Sequence, residues 1–129
     1  TQILARQTAQ IGQRSEQNRI NYQTQNVNAQ DALNRKMRIL QGAQQNAVRT
    51  QQFPEGRIRY YEKERPSSKP GPTRGAAYVT EYNPKNGQVR TWNECYDQKG
   101  NVNRVHPKTL DGQDLRSQHY PLTKNELRK

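Results

Sequence analysis

Three short runs rich in β-branched and aromatic residues lie between Tyr78 and His106, and two glycine-containing turns separate them. The turns are residues 83–87 (NPKNG) and 97–101 (DQKGN). Each turn offers a glycine where a tight hairpin needs a positive φ angle. The three runs hold most of the large apolar and aromatic side chains of the chain. The pattern therefore predicts an antiparallel meander of three strands at the centre of the fold.

The core that this chain forms must be small. Hydrophobic residues are 29% of its 129 residues, against roughly 45–50% in typical globular domains. The formal net charge is +11, so the surface attracts polyanions such as RNA, DNA, an acidic membrane face or an acidic protein. One cysteine, Cys95, excludes an internal disulfide. The sequence contains no apolar run long enough for a signal peptide or a membrane span.

Residues 1–52 contain no proline and are rich in glutamine, arginine and alanine, which favour helix modestly. A thin apolar stripe at helical spacing predicts one or two long helices, most clearly over residues 31–50. Pro54 and Gly56 should end the helix. We therefore expect an α+β protein with a helical segment at residues 1–52, followed by a compact β-meander domain at 53–129.

The compact domain should begin with a strand at Arg57–Glu62. Alternation along that strand places Ile58 and Tyr60 on one face, and Arg57, Arg59 and Tyr61 on the other. The proline-rich and basic stretch from 63 to 74 predicts an extended loop. At the other end, residues 123–126 have the pattern of a helical turn with a capping box.

The residue inventory excludes several kinds of site. Two histidines thirteen residues apart and one cysteine do not form a zinc ligand set with recognisable spacing. No glycine-rich run joins a strand to a helix, so a phosphate-binding loop is not expected. We therefore expect no metal and no cofactor.

A basic, aromatic domain with two histidines fits RNA cleavage without a metal. The 2′-hydroxyl of RNA can attack its own phosphate if the protein removes a proton, returns one and stabilises the phosphorane. Histidine suits the proton transfers, and arginine and lysine suit the charge stabilisation. The candidate catalytic residues are His119, His106, Arg57, Arg59 and Glu94. The candidate phosphate-binding and RNA-stacking residues are Arg90, Arg104, Lys108, Tyr60 and Tyr82, with Trp92 as a further candidate for stacking.

Each catalytic candidate also has a purely structural interpretation. His106 precedes a proline and could simply end a strand, and His119 could pack in a corner. Arg57 and Arg59 could form a solvated strand face. Glu94 should share a face with Trp92, and could form an ion pair with an arginine across the hairpin.

Residues 53–122 resemble a known family through several short motifs. The motifs are GRIRYYE (56–62), Pro70-Gly71, EYNP (81–84) with Gly87, RTW (90–92), Tyr96-Asp97 with Gly100, NRV (103–105) and His119-Tyr120. Together they resemble the C-terminal toxin domains of bacterial polymorphic toxins, which end LXG proteins of type VII secretion and Rhs or contact-dependent inhibition proteins. The resemblance implies a nuclease, more often an RNase, with a compact α+β fold of the barnase, colicin or RelE kind.

The resemblance also implies how such a protein works. The chain would be a secreted effector that cleaves RNA, including transfer RNA, in the cytoplasm of target bacteria. A cognate and acidic immunity protein would neutralise it, and the helices of the pre-toxin segment 1–52 would dock on the rest of a larger effector or on a delivery protein. In such domains we expect a histidine after the aspartate of the second turn, where this chain has Gln98. Some related anticodon nucleases use lysine, arginine and carboxylates without histidine.

Three other functions stay open from the sequence. The same basic strands and aromatic residues would serve a nucleic-acid-binding module without catalysis. A structural or assembly protein would use the basic helical arm to dock on an acidic partner or on nucleic acid. A metal-dependent DNase is the last alternative, although the sequence has few clustered Asp, Glu and His residues to hold a metal.

Overall fold

A computed structural model describes the backbone of residues 2–122 and the side chains of residues 13–122. Along the described residues one helix is followed by seven strands, all in antiparallel pairs. The elements are α1 (Gln2–Asn46), β1 (Arg49–Gln52), β2 (Ile58–Tyr61), β3 (Arg65–Pro66), β4 (Thr73–Asn83), β5 (Gln88–Asp97), β6 (Val102–Leu110) and β7 (Gln113–Asp114). This arrangement confirms the predicted α+β class. The helical turn expected at 123–126 lies outside the described residues.

The chain divides into two compact units, Thr1–Ala32 and Leu33–Lys129. In the first unit, every side chain described from residue 13 to residue 31 is exposed. In the second unit, Leu40 and Ala43 of α1 are buried. The compact unit with the sheet therefore begins at Leu33, twenty residues before the domain start that the sequence suggested.

The helix ends earlier than the sequence predicted. Residues 49–52 were expected to be helical, but they form β1, which pairs with β2 from Arg49↔Tyr61 to Gln52↔Ile58. Phe53 N donates to Arg57 O at 2.9 Å, and Gly56 has φ = 107°. The breaker residues thus form the turn of a β1–β2 hairpin rather than a boundary after a helix. Glutamine and threonine are found in helices and in strands. Here the edge of β2 offers unpaired backbone N–H and C=O groups, and pairing with them favours the strand.

The central meander is confirmed. Strands β4, β5 and β6 are joined by the two expected turns, in which Gly87 has φ = 72° and Gly100 has φ = 87°. The sheet order is β1-β2-β4-β5-β6-β7, and β3 pairs with β4. The stretch from 63 to 74, predicted as a loop, contains this short β3 and the first residues of β4.

The strand register assigns each side chain to one of two sheet surfaces. Arg59, Glu81 and Arg90 are direct partners across β2, β4 and β5, so their side chains share one surface, which we call the arginine side. The next row on the arginine side is Tyr61, Val79 and Trp92. Arg59 and Tyr61 therefore share the face that alternation along β2 predicted for them.

The opposite surface faces the last turns of α1, and we call it the helix side. Tyr60, which alternates with Arg59, accepts a hydrogen bond from Gln44 Nε2 at 3.3 Å. Lys36 Nζ lies 3.4 Å from Asp111 Oδ1 near the β6–β7 turn. These contacts hold the residues of α1 that belong to the second unit against the sheet.

The core on the helix side is partly polar. Val89, Thr80 and Thr91 are almost fully buried. Thr91 Oγ1 lies 2.6 Å from Thr109 Oγ1 and accepts a hydrogen bond from the Tyr78 hydroxyl at 2.9 Å. Because these hydroxyls are paired, a chain with few hydrophobic residues buries them without a large desolvation cost.

Candidate functional site

The arginine side carries a buried carboxylate that binds three arginines. Glu81 is 4% exposed. Its Oε2 accepts hydrogen bonds from Arg59 Nε at 2.7 Å and from Arg57 Nη1 at 3.2 Å, and its Oε1 accepts one from Arg90 Nη2 at 3.2 Å. We call Glu81, Arg57, Arg59 and Arg90 the arginine cluster.

The ionisation of the arginine cluster follows from these contacts. Burial acts to raise the pKa of Glu81, but hydrogen bonds from Arg59 and Arg90 more than offset it, and the pKa of this carboxyl is lowered. Arg57 also binds Glu55, and this hydrogen bond raises the pKa of the guanidinium. At neutral pH three positive charges thus face two negative ones, 3 − 2 = +1, and the surplus is available to an anion.

A cavity of about 570 Å³ adjoins the arginine cluster. Arg59, Arg90 and Trp92 line it together with Glu94. Further lining comes from Thr91 of β5, and from β6 and the segment after it through Val105, Pro107, Thr109, Leu110, Leu115, Ser117 and Tyr120. A cavity of this size is in the usual range for a small-molecule ligand, and it therefore offers room for one nucleotide beside the arginines.

Glu94 is the second buried carboxylate on the arginine side, at 6% exposed. Its Oε1 accepts a hydrogen bond from Trp92 Nε1 at 2.8 Å, and its Oε2 accepts one from the Tyr96 hydroxyl at 2.9 Å. Burial, and then the bond to Glu94, raise the pKa of the Tyr96 phenol, so it stays a donor. A carboxylate can accept about four hydrogen bonds. The bonds from Trp92 and Tyr96 use two of those positions, and Glu94 also lines the cavity.

Aromatic rings lie against the guanidinium groups of the cluster. The Cζ of Arg59 lies 5.2 Å from the ring centroid of Trp92 and 4.7 Å from that of Phe53. Arg57 Cζ also lies 4.7 Å from the Phe53 centroid. These cation–π contacts fix the guanidinium planes, and they leave Trp92 at the cavity wall.

The structure brings the two histidines together but places them away from the cavity. Val105 and Tyr120 exchange two backbone hydrogen bonds of 2.8 and 2.7 Å. His106 is the cross-strand partner of Asn93, which alternates with Trp92 and Glu94 on the arginine side. His106 therefore points to the helix side, and the antiparallel register places His119 beside it. Their ring centroids are 3.9 Å apart. The site predicted from the sequence is thus divided between two surfaces, with Arg57, Arg59 and Glu94 on the arginine side.

The other predicted RNA contacts lie in three different places. Arg90 belongs to the arginine cluster. Arg104 shares the helix side with His106, which follows it by two residues in β6. Lys108 is exposed at a bulge opposite Thr91 and Trp92. Tyr60 and Tyr82, the cross-strand partner of Ile58, point to the helix side, away from the cavity.

Sequence reasoning missed Glu81 as a site residue. The sequence did contain a signal for it. Glu81 interrupts a run of β-branched and aromatic residues and lies two residues after Val79, so it should share the face of that apolar side chain. Its three arginine partners come from β2, from β5 and from the turn before β2, so their meeting could not be inferred from spacing. Gln98, in place of the expected histidine, donates a hydrogen bond to Gly71 O at 3.0 Å.

Comparisons with protein-family models, curated proteins and solved structures found no match to this chain. Among the described residues, no helix combines the length and the apolar character that crossing a membrane requires.

Proposed function

We propose that this protein is the toxin domain of an interbacterial effector and acts as a metal-independent endoribonuclease. One observation supports the proposal most strongly. Arg59, Arg90, Trp92 and the buried Glu94 line a single cavity. In the proposal the arginines bind phosphate, Trp92 stacks on a base and Glu94 accepts a proton.

In the proposed reaction, the scissile phosphate binds the arginine cluster and the nucleotide lies in the cavity beside Trp92. Glu94 removes the proton from the 2′-hydroxyl, and the 2′-oxygen forms a bond to phosphorus. The bond from phosphorus to the 5′-oxygen breaks, and solvent water protonates that oxygen. Glu94 then returns its proton to the hydroxide left in the solvent, which regenerates the carboxylate and water. The products are a 2′,3′-cyclic phosphate and a 5′-hydroxyl. The guanidinium groups stabilise the extra negative charge of the phosphorane.

The two carboxylates have different parts in this proposal. Glu81 accepts hydrogen bonds from three guanidinium groups, and protonating it would weaken all three. It therefore orients the arginines. Glu94 accepts hydrogen bonds from two neutral donors and lines the cavity where the substrate would bind. This difference favours Glu94 as the general base.

The toxin context of the proposal rests on the sequence resemblance. The net charge of +11 also suits capture by an acidic immunity protein. Cleavage would take place in the cytoplasm of target bacteria, after secretion of the effector.

The test is cleavage of single-stranded RNA in EDTA by the 129-residue chain and by Glu94→Gln. Glu94→Gln keeps the size of the side chain and removes its basicity, so we expect the rate to fall by about 100-fold or more. His119→Ala should cleave at nearly the parent rate, and so should Glu16→Gln on the exposed part of α1. An RNA with 2′-deoxynucleotides at the cut site should stay intact.

Two results would redirect the proposal. Loss of cleavage in His119→Ala, with cleavage retained in Glu94→Gln, would move the chemistry to the histidines. RNA binding by the parent without cleavage would support the alternative of a nucleic-acid-binding module.

A further inference from the structure

The two histidines occupy a position on the sheet where side chains come especially close. Val105 and Tyr120 form a hydrogen-bonded pair. The next pair in the antiparallel register is His106 and His119, at a non-hydrogen-bonded position, where opposing Cα atoms are about 4.5 Å apart. The ring centroids are 3.9 Å apart, and the ring planes form an angle of 44°.

This pair joins β6 to the chain segment that forms one wall of the cavity. Leu115, Ser117 and Tyr120 all line the cavity. The backbone bonds from this segment to β6 include Leu115 N to Lys108 O at 2.9 Å and the two bonds between Val105 and Tyr120. A ligand shared by His106 and His119 would therefore fix the end of the wall segment to the sheet.

We propose that His106 and His119 together bind a divalent transition-metal ion such as Zn²⁺ or Ni²⁺, with water completing its coordination. Imidazole is a preferred ligand for these metals. Two imidazoles on adjacent strands act as one chelating unit, because the backbone pairing has already brought them together. Their separation of thirteen residues concealed this arrangement in the sequence.

The number of protein ligands and the nearby positive charges limit the affinity of this site for a metal ion. Within the described part of the chain no group of three or more His, Cys, Asp or Glu residues could hold a metal, so the protein supplies two ligands. Arg104 lies on the same surface, two residues from His106, and Arg65 donates to Asn93, the cross-strand partner of His106. Both positive charges oppose a cation, so the affinity should be moderate and should rise when Arg104 is neutralised.

The experiment measures metal binding by the tag-free, EDTA-stripped and dialysed chain. Calorimetric titration with Zn²⁺ or Ni²⁺ up to about 1 mM should show one saturable site. When the free metal concentration is ten times the dissociation constant, the midpoint of thermal unfolding should rise by about 5 °C. Mg²⁺ should cause no shift, because it prefers oxygen ligands.

Variants locate the site. His106→Ala and His119→Ala should each abolish the saturable binding while the apo proteins keep a cooperative thermal transition. Arg104→Gln should tighten the binding by about threefold. Absence of saturable binding in the parent, or its retention in both histidine variants, would refute the site. A thermal shift with inorganic phosphate and none with Zn²⁺ would show that the pair is part of an anion site instead.

The metal proposal is independent of the nuclease proposal. The same titration on Glu94→Gln should give unchanged metal binding, since that residue lies on the other surface of the sheet. If the chain binds no metal but cleaves RNA in EDTA, only the metal proposal fails. If it binds metal but does not cleave RNA, only the nuclease proposal fails.

Discussion

Arg59 Nε lies 2.7 Å from Glu81 Oε2, and the two residues are direct partners across β2 and β4. Glu81 is almost fully buried, so this contact is shielded from water in a way that most surface ion pairs are not. The same carboxylate also binds Arg57 and Arg90. The geometry of the arginine cluster therefore depends on one side chain.

Replacing Glu81 with glutamine should destabilise the protein. The substitution removes a negative charge and leaves three guanidinium groups facing each other. We expect the free energy of unfolding at pH 7 to fall by about 2 kcal/mol, less than for a fully buried pair because the arginines are partly exposed. Urea unfolding measures the change. Glu16→Gln removes an exposed pair with Arg19 and should change stability by less than about 0.5 kcal/mol. Equal effects of the two substitutions would contradict the central position of Glu81.

The stability difference between the parent and Glu81→Gln should depend on pH. The pKa of Glu81 is lowered in the folded protein, so the folded state favours the ionised form. The stabilisation is complete well above the ordinary glutamate pKa of 4.5. It should be lost as the pH falls through the lowered folded-state pKa. Urea midpoints of both proteins between neutral pH and strongly acidic pH should therefore converge. A constant gap would show that the charge of Glu81 is not what stabilises the fold.

RNA binding should weaken with salt, and Arg90 should account for part of the salt dependence. Each phosphate contact to a single strand contributes about 0.7 to the slope of log affinity against log salt. Arg90→Ala should lower this slope by about 0.7, measured on the Glu94→Gln background so that the RNA stays intact. Arg14→Ala, in the first compact unit, serves as the control and should leave the slope unchanged. An unchanged slope in Arg90→Ala would place the phosphate elsewhere.

Fluorescence should report occupancy of the cavity directly, because Trp92 is the single tryptophan of the chain. A base stacked on Trp92 should quench its emission in a saturable way. In Arg59→Ala the titration midpoint should move to about tenfold higher RNA concentration, since a charge-assisted hydrogen bond is lost. Arg19→Ala is the matched control. Saturable RNA binding that leaves the emission unchanged would exclude Trp92 as the stacking surface.

Replacing glycine with alanine should change the free energy of unfolding in opposite directions at two positions. A Cβ atom at Gly75 would lie 2.5 Å from Arg65 O and 2.6 Å from Glu64 Oε2, so β3 would have to move away from β4. Gly75→Ala should lower the free energy of unfolding by about 2 kcal/mol. A Cβ atom at Gly42 in α1 would have no neighbour within 4 Å, so Gly42→Ala should raise it by about 0.5–1 kcal/mol. Thermal unfolding of both variants tests the β3–β4 pairing.

The central meander could be predicted because it is encoded locally. Alternating apolar residues define β4 and β5, and a glycine stands where each turn needs a positive φ angle. The shared face of Trp92 and Glu94 could be predicted for the same reason and is confirmed by the hydrogen bond between them. The strand β1 was predicted as helix because Arg49–Gln52 has no strong preference of its own. Its conformation depends on pairing with β2.

The sequence by itself determined the α+β class, the turns, the alternating faces of β2 and the excess of positive charge, since these follow from neighbouring residues and from composition. The tertiary structure decided which distant residues meet. It placed Glu81 among arginines from β2, β5 and the turn before β2, and it paired His106 with His119 on the other surface. Strand order and register bring such groups together, and both are set by packing and hydrogen bonding across the whole sheet, which no local pattern specifies.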